Sequence, residues 1–193
     1  MKSVLISIQP TWCEKIVKGE KTIEVRKTRP KIETPFKCYI YCTKTKNKWS
    51  LCSYEGAYQN NDDEIVYAQQ HIIGEFVCDW ITEITPYCDI EDFVNQYIHG
   101  YPTILGENDC LSFQEMKAYL GNKNGYDWHI SDLKIYDKPK ELSEFERPCS
   151  YKGTCYYCAR AKFESDGTLL CNTEINRAPQ SWCYVEELKE KQK

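Results

Sequence analysis

Between Gly19 and Lys27 the chain reads Gly-Glu-Lys-Thr-Ile-Glu-Val-Arg-Lys. As an extended strand it puts Thr22, Glu24 and Arg26 on one face and Ile23 and Val25 on the other. A carboxylate and a guanidinium two residues apart suit the recognition of a polar, anionic ligand. Arg26 offers a planar fork for phosphate or a base edge. Glu24 accepts hydrogen bonds from a base amino group or a ribose hydroxyl. Lys21, at the strand entrance, neutralises a phosphate or, when desolvated, serves as a base. Trp12 stacks on a base if its face turns into the cleft. The candidate ligand contacts are Gln9, Trp12, Lys15, Lys21, Thr22, Glu24, Arg26 and Lys27, joined by Trp182 from the far end of the chain. The ligand they suit is a nucleotide or RNA. The same residues also fit a structural Glu24–Arg26 ion pair and a Trp12 packed into the core with Ile16.

The charge distribution points the same way. Residues 1–50 carry 12 Lys and Arg against 4 Asp and Glu, a net of +8, whereas the whole chain is at -4. Between Ser50 and Lys117 there is no Lys or Arg, but there are 13 acids. Positive charge gathered in one quarter of an acidic chain favours a local anion site over an extended duplex track. With no run of 18 apolar residues and no signal-peptide pattern at the start, the reading is a soluble, cytoplasmic protein that does not enter a membrane.

The elements that must position these side chains follow from hydrophobic pattern. Residues 3–8 read as a buried strand with two apolar faces, ended by Pro10. Thr11 with Glu14 has the form of a capping box, which predicts a helix from Trp12 to Lys18 closed by Gly19. Further strands are expected over 21–27, 38–43, 71–84 and 128–136, the last ended by Asp137-Lys138-Pro139. A short strand at 181–185 follows, and the turn Gln180-Ser181-Trp182 is placed to return over the cleft. Residues 44–64 read as a long loop or hairpin. Gly74 marks a bulge or bend. Two short helices are expected at 89–98 and 112–120, the second opened by a Ser112/Glu115 capping box and stopped at Gly121. The absence of βαβ alternation favours an α+β fold, a small mixed β-barrel of five to six strands with short rim helices. The division is a barrel over 1–145, with a helical insertion at about 85–125, and a cysteine-rich tail over 146–193 that packs on it.

Twelve cysteines without a secretion signal imply thiols or metal ligands rather than disulfides. Cys149, Cys155, Cys158 and Cys171 have the arithmetic of a four-thiolate structural zinc site, with Cys183 as an alternative fourth ligand. Small buried thiols are the other reading, the one adopted for Cys13, Cys38, Cys42, Cys78 and Cys88. The three histidines, His71, His99 and His129, do not cluster in sequence.

A strand, Gln-Pro, a short helix and then Gly19-x-Lys21-x-x-Glu24-x-Arg26 together resemble the signature of the ASCH domain, a member of the PUA-like superfamily. The stretches 71–84 and 130–139 resemble its barrel strands, so the likeness covers most of residues 1–140 and leaves the tail outside. The whole resembles small ASCH proteins of bacteria and their phages. The resemblance implies a β-barrel with rim helices and a cleft beside the first helix for RNA or a nucleotide. Some members are hydrolases, among them an acetylcytidine amidohydrolase and a ribonuclease. By that resemblance Lys21 and Thr22 would be catalytic, assisted by Glu24, which stands where those enzymes have Thr; their distal carboxylate has no matching position here, and Glu75 is a candidate from outside the resemblance. A fold by itself selects neither substrate nor chemistry. Three functions are therefore carried forward: binding of RNA or a nucleotide, hydrolysis of RNA or modified nucleosides, and a phage-type interaction protein that presents its acidic surface to a protein partner.

Overall fold

The computed structural model describes residues 2–44, 57–59, 65–84, 109–149, 161–163, 165–167, 169–171 and 173–188. In chain order these form β1 (Lys2–Ile8), α1 (Pro10–Val17), β2 (Ile23–Arg26), β3 (Phe36–Cys42), β4 (Ala57–Gln59), β5 (Ile65–Tyr67), β6 (Ile72–Cys78), β7 (Ile81–Ile84), α2 (Phe113–Leu120), β8 (Gly125–His129), β9 (Ser131–Lys140), a 3-10 turn (Leu142–Glu144), β10 (Ala161–Phe163), β11 (Leu169–Cys171) and β12 (Trp182–Glu186). The fold is mixed α+β. Eight strands make two sheets, ordered β12-β1-β3-β6-β9 and β2-β8-β7, and the pairs β4-β5 and β10-β11 are short hairpins.

The two apolar faces of β1 explain its place inside the larger sheet, parallel to β3 and antiparallel to β12. Val4, Ile6 and Ile8 join Cys38, Ile40, Cys42 and Phe76 in a core that α1 closes with Cys13 and Ile16, and into which Trp128 of the smaller sheet inserts. Leu5 lies on the opposite face with Tyr39, Tyr41, Ile72 and Val185 of β12, covered by Phe145 and Ile175 from the C-terminal part of the chain. A third cluster, Val25, Ile84, Met116 and Leu120, packs α2 on the outer face of the smaller sheet. The ring edge of Phe36 meets Trp128 at 5.9 Å.

Several sequence expectations change here. The small closed barrel is replaced by two sheets that share a core, with no ladder closing them into one barrel among the described residues. The stretch 71–84 is two strands, because the chain leaves the larger sheet at Asp79-Trp80 and enters the smaller one. The stretch 128–136 makes the reverse passage at Ile130, and β9 continues through Pro139 to Lys140. An edge strand tolerates that proline because it needs no second set of ladder donors. The corner is tied by His129 N–H donating to the Trp80 carbonyl (3.2 Å) and Ile130 N–H to the Thr22 carbonyl (2.8 Å). The first helix begins at Pro10 rather than Trp12. Gln9 is its N-cap, without a side-chain cap bond, and Pro10 supplies a pre-set first turn. Glu14 pairs with Lys18 instead. Gly19 ends the helix at φ +73, as expected of a glycine there. The Ser112/Glu115 capping box of α2 is present.

Cys13, Cys38, Cys42 and Cys78 are buried free thiols. Burial pushes the Cys78 thiol up to about 12 and holds those of Cys13 and Cys38 well above the ordinary thiol range, so these three are not reactive thiolates at neutral pH. Cys88 and the expected helix at 89–98 lie outside the described residues, as does much of the acidic stretch. No helix among the described residues is long and apolar enough to cross a membrane.

Gly74 sits where the ladder to β9 shifts register, and a Cβ there would run into the Lys134 carbonyl oxygen and Ile135 Cα. Those are backbone atoms, which cannot swing aside. Gly74→Ala is expected to cost roughly 1–3 kcal/mol, the usual penalty of overpacking, read as a lower urea midpoint with an unchanged denaturant slope.

Candidate functional site

A cavity of about 840 Å³ opens where β1 runs into α1, bounded by β2 on one side, α2 above and residues 180–181 at the rim. Its charged wall comes from one segment. Lys21, Glu24 and Arg26 are 2%, 6% and 7% exposed, so the residues that read as a basic patch are buried. Glu24 is the centre: Oε1 lies 2.9 Å from Arg26 Nη2 and Oε2 lies 3.5 Å from Lys21 Nζ. Strand periodicity aligns Glu24 with Arg26, and Lys21 reaches them from the turn that follows α1.

Each cation has a second anchor. Arg26 Nη2 donates to the Ser7 carbonyl at 2.6 Å, crossing from the smaller sheet to β1 of the larger one, and Nη1 lies 3.4 Å from Ser181 Oγ. Ser7 is in turn fixed by Pro179 and Ser181, through Oγ to the Pro179 carbonyl (2.7 Å) and through N–H to the Ser181 carbonyl (2.8 Å). Lys21 Nζ donates to the Asp109 carbonyl at 2.5 Å. Asp127 of β8, off the cavity wall and opposite Val25 and Thr82 in the ladder, is 3% exposed, and its Oδ1 has no hydrogen-bond partner among the described residues. Burial, then the negative charge of Asp109, lifts the Asp127 carboxyl from its ordinary 3.8 to about 7, against the pull of Lys21.

Two aromatic rings flank the charged wall, each with lysine beside it. Trp12 is half-buried, with Lys21 Nζ 5.3 Å and Lys15 Nζ 6.0 Å from its ring centre. Tyr119 of α2 is 38% exposed, the sole exposed large hydrophobic side chain among the described residues, and Lys27 Nζ lies 4.9 Å from its ring.

The structure thus brings Gln9, Trp12, Lys21, Glu24 and Arg26 together on the cavity wall, with Lys15 and Lys27 reaching its aromatic rings. Thr22 is not a wall residue; its carbonyl serves the β8–β9 corner. Trp182 also stays off the wall. It packs 6.0 Å from Trp128 and donates Nε1–H to Thr28 Oγ1 at 3.0 Å, while its neighbours Gln180 and Ser181 form the rim. Glu75 is remote from the cavity, held by Lys37 (3.2 Å) and the Tyr136 hydroxyl (2.6 Å). Ser7, Asp109, Tyr119 and Asp127 carry no sign in the sequence of their place here, whereas the expected return of Gln180-Ser181-Trp182 does bring Gln180 and Ser181 to the cavity. The α2 helix was legible, but nothing in its pattern says that Tyr119 overhangs a cavity.

Of the cysteines considered for zinc, Cys155 and Cys158 lie outside the described residues. Cys149 is half-buried, the backbone of Cys171 is in β11, and Cys183 packs against the cluster around Leu5. Among the described residues no group of three or more His, Cys, Asp or Glu is arranged to hold a metal ion.

Two outcomes follow for stability. Glu24→Ala leaves two buried cations without their shared carboxylate and is expected to cost roughly 3–5 kcal/mol in urea unfolding. Asp127 acts in the opposite sense. Its folded-state value lies above its unfolded one, so its protonated form favours the folded state, and stability falls as pH rises from about 4 to about 7. The full cost above that window is on the order of 4 kcal/mol. Asp127→Asn is expected to flatten this slope, as seen in urea midpoints measured across the window.

No family model matches the chain, and no curated protein matches it. Among solved structures it is similar to the ASCH protein of Zymomonas mobilis, at 18% identity and a TM-score of 0.47, over 96% of this chain and 88% of that one. It is also similar to a point mutant of the same protein, at 19% identity and a TM-score of 0.48, over 97% of this chain and 92% of that one.

Proposed function

We propose that this chain is an ASCH-like domain whose cavity binds a nucleotide or a short single strand of RNA. The observation that carries this reading is the buried Lys21–Glu24–Arg26 network on the wall of a cavity edged by two lysine-flanked aromatic rings. Glu24 and Arg26 present fixed acceptors and donors that suit the polar edge of a base. Trp12 and Tyr119 offer π-faces for stacking, which tolerates any base. Lys15 and Lys27 stand at the rings, in position for phosphates. The cavity, at about 840 Å³, is in the upper range for small-molecule sites and admits more than one nucleoside unit.

Binding is favoured over hydrolysis by the position of Thr22. A Lys21–Thr22 catalytic pair needs both side chains at the substrate, and only Lys21 lines the cavity. Lys21 is also committed to Glu24 and to the Asp109 carbonyl.

Calorimetry of the full chain against mononucleotides, cyclic nucleotides and short oligoribonucleotides tests this function. Trp12→Ala and Tyr119→Ala are each expected to weaken binding about tenfold or more, the usual effect of removing one stacking ring. With two lysines near phosphates, the slope of log K against log salt should be shallow, about -1.4. Absence of binding to every probe, or indifference to both ring truncations, would sink the proposal. Product formation from RNA or acetylated nucleosides, followed by mass spectrometry, would move the protein to the hydrolase class.

A further inference from the structure

Resting on the nucleotide-binding reading of the cavity, we propose that its α1 end is a subsite for a terminal phosphate. The ligand is then a phosphomonoester, either a free nucleotide or the phosphorylated end of a strand. The Thr11 backbone N–H and Arg26 hold the phosphate, and Lys44 balances its charge.

The first turn of α1 has an unfilled N-terminus. Gln9 makes no side-chain cap bond, and no acid stands in the turn. Pro10 has no N–H to give, and those of Trp12 and Cys13 both go to the Gln9 carbonyl, at 3.0 Å each. The Thr11 N–H is left without a backbone partner among the described residues. Gln9, Pro10, Thr11 and Trp12 all line the cavity, so this end of the helix opens into it. A helix N-terminus in that state attracts an anion through its aligned dipoles and its spare N–H groups.

Arg26 is the independent sign of a ligand at the same place. Its buried side chain lies on the cavity wall and reaches the Ser7 carbonyl, two residues before the N-cap. Nη2 is spent on that carbonyl and on Glu24, Nη1 lies 3.4 Å from Ser181 Oγ, and the guanidinium also faces the Tyr119 hydroxyl. Nε has no hydrogen-bond partner among the described residues. A buried guanidinium donor without an acceptor costs free energy until a ligand supplies one, and phosphate oxygens are strong acceptors for arginine. A phosphodiester must continue on both sides, whereas a donor this deep in the wall is reached by a chain end.

Topology brings the two features together. β1 and β3 are parallel neighbours, and α1 starts where β1 ends. At the carboxyl ends of these strands Thr43 N–H donates to the Ile8 carbonyl at 2.8 Å, and both residues line the cavity beside Lys44. In open α/β sheets, the crevice beyond such strand ends is where a helix N-terminus meets its ligand. The charges agree. The wall carries Lys21, Arg26 and Lys44 against Glu24 and Glu115, with Lys15 and Lys27 at its rings. Glu24 is already shared by Lys21 and Arg26, and Glu115 is held in its capping box by Ser112, which leaves Lys44 to meet an incoming anion.

Calorimetry of the full chain compares uridine with its 5′- and 3′-monophosphates. One monophosphate is expected to bind about tenfold tighter than uridine or more, the worth of one charge-assisted hydrogen bond. Thr11→Asp places a carboxylate where the phosphate would lie. It should remove that advantage while the urea midpoint holds or rises, because an acid in the first turn favours the helix; mere damage to the fold would lower the midpoint instead. Lys44→Ala, an exposed change, should cut the advantage severalfold. An oligouridylate phosphorylated at the favoured end, set against its hydroxyl form, separates the two sources. Tighter binding of the phosphorylated strand assigns the subsite to a strand end, and a gain confined to the monophosphate assigns it to a free nucleotide. Equal affinity for uridine and both monophosphates overturns the subsite and leaves the base-binding cavity standing. A monophosphate advantage that survives both variants puts the phosphate at Lys15 or Lys27 and also overturns it. No binding of uridine, monophosphate or strand overturns the nucleotide reading and the subsite together.

Discussion

The structure depends on the guanidinium of Arg26 crossing from one sheet to the other. A charge buried between two sheets is tolerable only with partners on every side. Arg26 finds most of them in Glu24 on its own strand, in the Ser7 carbonyl on the facing sheet and in Ser181 at the rim, while its buried Nε has no hydrogen-bond partner among the described residues. The contact does two things at once. It anchors the edge of the smaller sheet to an interior strand of the larger one, and it stands where the packed core gives way to a cavity of mixed polar and apolar lining. The cavity begins where the core stops. The same interaction that costs desolvation energy therefore separates a packed interior from a binding space.

The rest of the fold supports that crossing. Trp128 fills the space between the sheets, meeting Phe36 on one side and Trp182 on the other. The chain passes between the sheets twice, at Asp79-Trp80 and at Ile130, and both passages lie at the same corner, tied by the His129–Trp80 backbone bond. Residues 173–188 complete the arrangement from the opposite side. They cover the outer face of the larger sheet with Ile175, add β12 to its edge, and their approach brings Pro179 and Ser181 against Ser7. The C-terminal part of the chain is thus structural cover and cavity rim in one piece.

Charge behaves differently here from what a count along the chain implies. The excess of Lys and Arg in residues 1–50 does not become a uniform basic surface. Lys21 and Arg26 are buried and shared by Glu24, while Lys15 and Lys27 stay at the rim beside aromatic rings. Inside, the balance is held by carboxylates, and two of them, Asp109 and Asp127, lie far from the motif in sequence. A low dielectric makes each of these charges matter more than its surface counterpart would.

The sequence by itself determined the local geometry: the strand alternation that aligns Glu24 with Arg26, the turn of helix ending at Gly19, the two apolar faces of β1, and the Ser112/Glu115 cap of α2. Each is encoded within a few residues, because side-chain direction follows the local period of helix or strand. Only the tertiary structure decided what those residues meet. The partners Ser7, Asp109 and Asp127 come from distant segments and no local pattern marks them, while the turn at Ser181 was legible but not the Arg26 it would meet. The exchange of strands between sheets was hidden for the same reason, since a continuous apolar run looks alike whether it stays in one sheet or turns a corner into another. Burial then converted an apparent basic patch into a neutralised network, because a charge removed from water must be paired wherever the fold places it.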